Sequence, residues 1–170
     1  KHYGQTLKQF LGEVEQIIHG TTLGTNILIT ERGAKVGTIT TKGFRDVLEL
    51  GREFRYAPYD VFSEYPEPLV PRWLRLEVDE RVRTDGHVLK ALDEKQALET
   101  IRVLTGEGVT SIAVCLLNSF ENPAHELAIK ELIAKEFPEI SISISYEVLP
   151  QIREYERTST TVTNAYVKPL

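Results

Sequence analysis

His19, Gly20, Thr21 and Thr22 stand in a row, and Asn26 follows Thr22 by four positions. They sit inside Val14 to Thr30, VEQIIHGTTLGTNILIT, which reads as a short apolar strand at Ile17-Ile18, a turn at His19-Gly20 and a helix opening at Thr21-Thr22. That order turns backbone N–H groups and hydroxyls toward an anion, because the first helical turn has orphan donors and the helix dipole favours negative charge there. Gly20 permits close backbone approach, and Thr21 or Thr22 supplies a capping hydroxyl. Thr22 and Asn26 share one helix face. The same residues also fit a plain N-cap, so the turn is open to two readings. His19 is placed to polarise a substrate, or to be hydrogen-bonded within its turn.

Other chemistry is excluded by pattern. His2, His19, His87 and His125 are far apart and form no metal-ligand spacing. The sequence holds no G-x-S-x-G elbow, no Walker A loop and no G-x-G-x-x-G turn. Asp46, Glu49, Arg45 and Arg52, like Arg153, Glu154, Glu156 and Arg157, read as solvated helix faces. Cys115 lies in the apolar run SIAVCLL and reads as a buried, unreactive thiol.

Composition sets the frame. Of 170 residues, 41% are hydrophobic and 26% charged, as in an ordinary globular chain, and the net charge is −5. No basic stripe is present, which argues against nucleic acid and membrane as partners. No apolar run is long enough to span a bilayer. One cysteine fits a reducing, cytoplasmic setting. The chain lacks methionine and is expected to be a piece of something longer.

The elements that must position these residues follow from periodicity. Tyr3 to Leu11 has helical spacing. Thr22 to Ile29 is a helix with Leu23 and Ile27 inward. Lys35 to Thr41 is a strand, and Phe44 to Leu50 a short helix. Residues 52–72 carry Pro58, Pro66, Pro68 and Pro71 together with Tyr56, Tyr59, Phe62 and Tyr65, so they read as a loop that is either functional or wrapped over its own domain. Leu74, Leu76 and Val78 alternate with Arg75, Glu77 and Asp79, a strand with one wet face. Thr84-Asp85-Gly86 makes a hairpin with His87 to Leu92. Asp93 caps a helix to about Gly106, Thr110 to Leu117 is a buried strand, and Pro123 opens a helix with Leu127, Ile129, Leu132, Ile133 and Phe137 inward. Ile140 to Tyr146 is the last strand. A final helix follows Pro150, and its run of Ser and Thr either uses the hydroxyls or packs small side chains closely.

Two stretches carry a family resemblance. HGTTLGTNILITERGAKVGTITTKGFRDVLELGRE, residues 19–53, resembles the N-terminal region of the hydantoinase A and 5-oxoprolinase family. SYEVLPQIREYERTSTTVTNAYVKPL, residues 145–170, is similar to the junction with that family's next domain. PEPLVPRWLRLEVDERV and VCLLNSFENPAHE match in order and spacing between them.

The resemblance implies an α/β fold: a partial ribonuclease H-like, actin- or sugar-kinase-like lobe, then a second small α/β unit with a β-hairpin, and a C-terminal helix. The expected divisions are residues 1–55, a Pro/Tyr-rich connection at 56–72, a second unit at 73–148, and a helix at 149–170 leading to a downstream domain. It implies an ATP-dependent cyclic amidohydrolase that opens hydantoin, N-methylhydantoin or 5-oxoproline rings by phosphorylating the lactam oxygen, with Mg²⁺ bridging phosphoryl oxygens. The piece alone is expected to be inactive. His19, Thr21 and Thr22 are the implied catalytic residues. Gly20, Asn26, Arg157, Thr158 and Thr161 are the implied substrate- or nucleotide-binding residues. The family's D-x-G-G-T phosphate loops do not occur in this sequence, so no metal ligand is assigned and most ATP and Mg²⁺ ligands are expected outside this chain. A cyclic amide substrate and a homo-oligomer or second hydantoinase-type subunit complete the expected partners. The alternatives are a subunit of an acetone- or acetophenone-type carboxylase, or a non-catalytic interaction module using the 52–72 loop.

Overall fold

The computed structural model describes residues 4, 6–16, 18–52, 59–60, 62 and 66–169. The chain divides into two compact units, residues 1–31 and 32–170. Among its described residues the first holds two short helices. Helix α1, Leu7–Gly12, starts at Thr6, whose backbone N–H donates to the Gln9 side chain while the Thr6 hydroxyl accepts from Gln9 N–H. Helix α2 spans Leu23–Ile29. The strand expected before it does not form among the described residues: Val14, Glu15, Gln16 and Ile18 have no ladder partner, and Ile18 is 85% exposed. A strand needs a neighbour to satisfy its backbone, and the apolar pair at 17–18 is too short to bring one. Ile17 lies outside the described residues. Ile27 is buried as expected, whereas Leu23 is exposed.

The second unit is built on a parallel sheet. Strand β1, Val36–Thr41, is followed by the short helix α3, Val47–Leu50, and, after residues 52–72, by a 3₁₀ turn at Arg72–Leu74. Strand β2 is Arg75–Val78, and strands β3, Arg81–Val82, and β4, Val88–Lys90, form the expected antiparallel hairpin across Thr84-Asp85-Gly86. Then come α4, Glu94–Gly106, β5, Ser111–Cys115, α5, Ala124–Glu136, β6, Ser141–Ile144, α6, Ser145–Val148, and α7, Glu154–Val167. The sheet order is β2-β1-β5-β6, with every pairing parallel. This is the α/β fold with hairpin and terminal helix that the pattern called for. The division expected near residue 55 does not hold, because β1 lies inside the same sheet as β2, β5 and β6. Periodicity finds strands but not their partners, and crossovers join segments far apart in sequence.

The core is Ile39, Val78, Ile101, Leu104, Ile112, Val114, Leu116, Ile129, Ile133, Ile144, Val162 and Ala165. Asp93 caps α4 by accepting from the N–H groups of Lys95 and Gln96, as its position implied. Three expectations reverse. Arg75, placed on the wet face of β2, is buried, with Nε–H donating to Val70 O at 2.8 Å and Nη1–H to Glu49 at 2.7 Å. Leu127 is exposed, while His125 and Glu126 are buried in its place. The last strand stops at Ile144, and Ser145–Val148 turns into α6.

Candidate functional site

A parallel sheet that grows in both directions from its first strands leaves a crevice at the carboxyl ends of the two strands where the order reverses. Here those strands are β1 and β5. Buried polar side chains gather at their C-terminal ends. Leu117 N–H donates to Thr41 Oγ1 at 2.8 Å, and the Thr41 hydroxyl donates to Glu80 Oε1. His125 Nδ1 meets Glu80 Oε2 at 2.6 Å. Glu80 is 1% exposed, so one carboxylate joins β1, the hairpin and α5 in one network.

A second carboxylate lies deeper. Glu126 is fully buried. It accepts from Leu116 N at 2.9 Å and Ser145 Oγ at 2.6 Å through Oε1, and from Tyr146 N at 2.9 Å through Oε2. Burial raises its pKa, and the donors from Ser145, Leu116 and Tyr146 oppose that shift. Cys115 is buried as expected, and burial raises its thiol pKa too, which keeps it protonated and unreactive.

Arg157, on the first turns of α7, is 1% exposed. Its Nη2–H donates to Leu116 O at 2.7 Å, and its guanidinium stands 5.3 Å from the Phe120 ring centre. Its Nε has no hydrogen-bond partner. Beside it Thr158 Oγ1 donates to Cys115 Sγ at 3.2 Å, and Thr161 Oγ1 donates to Arg157 O at 2.7 Å. Thr163 bonds Ser159 O in the same way. In α7 these hydroxyls satisfy the interior, and the small side chains let the helix lie on β5 and β6. Arg157 is therefore no solvated face residue; its sequence neighbours gave no sign of this.

Above these strand ends lies an open cleft of about 590 Å³. Its walls are the segment after β1, with Phe44, Val47 and Leu50, and the start of α7, with Glu154 and Tyr155. Arg52 pairs with Glu156 at 2.6 Å across it, and Asp46 is held at 2.8 Å by Arg72. The Arg72 hydrogen bond lowers the Asp46 pKa.

The residues singled out in the first unit are displayed rather than enclosed. His19, Gly20, Thr21 and Thr22 are all exposed. Thr22 is the N-cap of α2 but makes no capping hydrogen bond, because its backbone (φ −88°, ψ 19°) is not extended enough to fold the hydroxyl over the helix start. Its Oγ1 accepts from Asn26 Nδ2 at 3.3 Å, which brings together the pair that the spacing placed on one face. A Cβ added at Gly20 would meet no atom within 4 Å. His2 lies outside the described residues.

Residues 2–137 match the family model of the hydantoinase/oxoprolinase N-terminal region, and the chain belongs to that family. It is 39% identical over 169 residues to an uncharacterized protein of Methanocaldococcus jannaschii, with 98% of this chain and 25% of that protein aligned. Its fold superposes on the ATP-dependent caprolactamase of Pseudomonas jessenii with a TM-score of 0.86 at 35% identity, covering 98% of this chain and 24% of that one. Against nucleotide-free acetone carboxylase, from work on ATP-dependent acetone carboxylation, the TM-score is 0.88 at 27% identity, covering 99% and 25%. The chain thus spans about a quarter of the length of these relatives.

Proposed function

We propose that this chain is the N-terminal region of an ATP-dependent enzyme that opens cyclic amides, such as a hydantoin, an N-methylhydantoin, 5-oxoproline or a simple lactam. The observation that carries the reading is the likeness to the ATP-dependent caprolactamase along almost the whole chain. ATP, when bound, supplies the phosphoryl group that makes the amide carbon a better target for water. This chain's share is the exposed turn His19-Gly20-Thr21-Thr22. Thr22 accepts from Asn26 and so keeps its own O–H free to donate to an anionic oxygen. Gly20 has open space around it, which fits close approach of a ligand to the backbone. Arg157, Thr158 and Thr161 serve the same enzyme from inside the fold, by fixing the ends of β5 and the start of α7 that frame the cleft. Among the described residues no three His, Cys, Asp or Glu side chains converge as a metal site, and no Mg²⁺ ligand and no step on Mg²⁺ is assigned to this chain.

The likeness to acetone carboxylase favours a second reading, a subunit of an ATP-dependent carboxylase with a further chain as partner. Calorimetric titration of ATP into the full-length protein, wild type against Thr22→Ala, tests the turn. A loss of affinity of about tenfold is expected from one lost charge-assisted hydrogen bond. Equal affinity removes the turn from the nucleotide site.

A further inference from the structure

The cleft after β1 ends in a recess bordered by Thr40, Cys115, Leu117, Arg157 and Thr158. Phe44, Val47 and Glu154 border both spaces. The recess measures about 10 Å³, room for a single oxygen-sized atom. Two of its bordering side chains, Arg157 and Glu154, each carry a polar group without a partner among the described residues. Arg157 is buried, yet its Nε lacks an acceptor. The half-buried Glu154 carboxylate has no hydrogen bond or ion pair among the described residues. A buried donor without an acceptor costs stability unless something fills the place.

The cleft above selects the kind of ligand. Asp46, Glu154 and Glu156 line it along with Arg52 and Arg153, and Arg52 is already paired with Glu156. Asp46 is held by Arg72 and Glu156 by Arg52, and Glu154 stands among Arg153 and Arg157, so charge does not choose the ligand and the apolar wall favours a neutral molecule. Phe44, Val47 and Leu50 offer an apolar wall wide enough for a small ring. One donor and one acceptor at the inner end call for a molecule that carries an acceptor and a donor on neighbouring atoms. A cis amide locked in a ring has that arrangement.

We propose that this cleft binds a neutral cyclic amide. Its methylene ring lies against Phe44, Val47 and Leu50, its carbonyl oxygen enters the recess and accepts from Arg157 Nε–H, and its N–H donates to Glu154. The position at the carboxyl ends of β1 and β5 is where open parallel sheets take their ligands. The proposal rests on the cyclic-amide reading above and goes beyond it by assigning the ring to a different place from the Gly-Thr turn.

The test is ligand-observed NMR on the full-length protein without ATP, using ε-caprolactam, N-methylcaprolactam and ε-caprolactone as probes. The last two lack the N–H. Saturable binding of ε-caprolactam is expected, and it should be lost in Val47→Trp, which fills the cleft. Should that variant unfold, Leu50→Trp, at an exposed position, provides the same block. Glu154→Ala should weaken ε-caprolactam about tenfold and leave the two N–H-free probes unchanged. The proposal is overturned if ε-caprolactam does not bind saturably, if a folded blocking variant binds it as well as wild type, or if Glu154→Ala weakens all three probes equally. The two readings can fail separately. Cyclic-amide turnover that survives Val47→Trp removes this cleft alone, whereas a full-length protein that turns over no cyclic amide with ATP removes the function.

Discussion

Replacing Glu126 with glutamine is the most informative change to the architecture behind the cleft. The carboxylate holds three donors, two on Oε1 and one on Oε2. In Glu126→Gln the amide oxygen can keep the Leu116 N–H and Ser145 hydroxyl. The new NH₂ then faces Tyr146 N–H, donor against donor, across a gap that is 2.9 Å in the wild type. One hydrogen bond is lost and one N–H is left unpaired, a cost of about 1–3 kcal/mol. The pH dependence sharpens the test. Burial raises the folded-state pKa of Glu126 above its ordinary value of 4.5, so the folded chain binds this proton more tightly than the unfolded chain does. Its contribution is fully present below the unfolded pKa and is lost as pH rises through the folded pKa. Glutamine does not titrate. The stability advantage of wild type over Glu126→Gln should therefore shrink as pH rises above the ordinary carboxyl range toward the raised folded-state pKa, by at most about 1.4 kcal/mol per pH unit for one proton. Asp46, Asp79, Asp85 and Glu156, whose pKa values are lowered, titrate alike in both proteins and cancel in the difference. Urea unfolding followed by far-UV circular dichroism at each pH gives the two curves. A gap that widens with pH would show that the three donors outweigh burial. A variant as stable as wild type at about pH 5 would refute the hydrogen-bond assignment itself.

Gly33→Ala should destabilise by about 2 kcal/mol and lower the melting temperature by about 4–8 °C, because the new Cβ would lie 2.1 Å from Cε1 of the buried Tyr166 ring. Calorimetry checks it, and an unchanged transition would mean that α7 slides freely. Gly20→Ala should leave the unfolding midpoint in place, since nothing lies near that position, but should weaken ATP binding by the full-length protein if the turn approaches the nucleotide. Cys115 should resist thiol reagents at about pH 8 until the chain unfolds, since burial keeps its thiol protonated; modification of the native protein at the rate of a free thiol would contradict this.

The sequence carried the elements whose signals are local. Asp93 before a helical stripe, Thr84-Asp85-Gly86 between alternating runs and the continuous apolar β5 each have a short-range cause, and each stands where it was expected. What was illegible depends on distant partners. Arg75 looks like a wet-face residue until Val70 O and Glu49 arrive from other segments to take its guanidinium. Glu126 sits in a helical run like any surface glutamate, and only the β5 and β6 ends, brought beside it by two crossovers, show it to be interior. The Ser/Thr run of α7 fitted two readings, and in the fold Thr158, Thr161 and Thr163 spend their hydroxyls internally. The cleft was invisible for the same reason, since its two walls are about a hundred residues apart in sequence. The apolar pair at 17–18 misled in the opposite direction, by suggesting a strand where Val14, Glu15, Gln16 and Ile18 have no ladder partner among the described residues.

The account turns on coupling between nucleotide and ring, and the direct measurement is product stoichiometry in the full-length protein supplied with ATP and a panel of lactams, hydantoins and 5-oxoproline. One orthophosphate should appear for each ring opened, with neither product formed when ATP or the cyclic amide is left out. Phosphate release that ignores every cyclic amide, or that requires bicarbonate and a ketone instead, would contradict it.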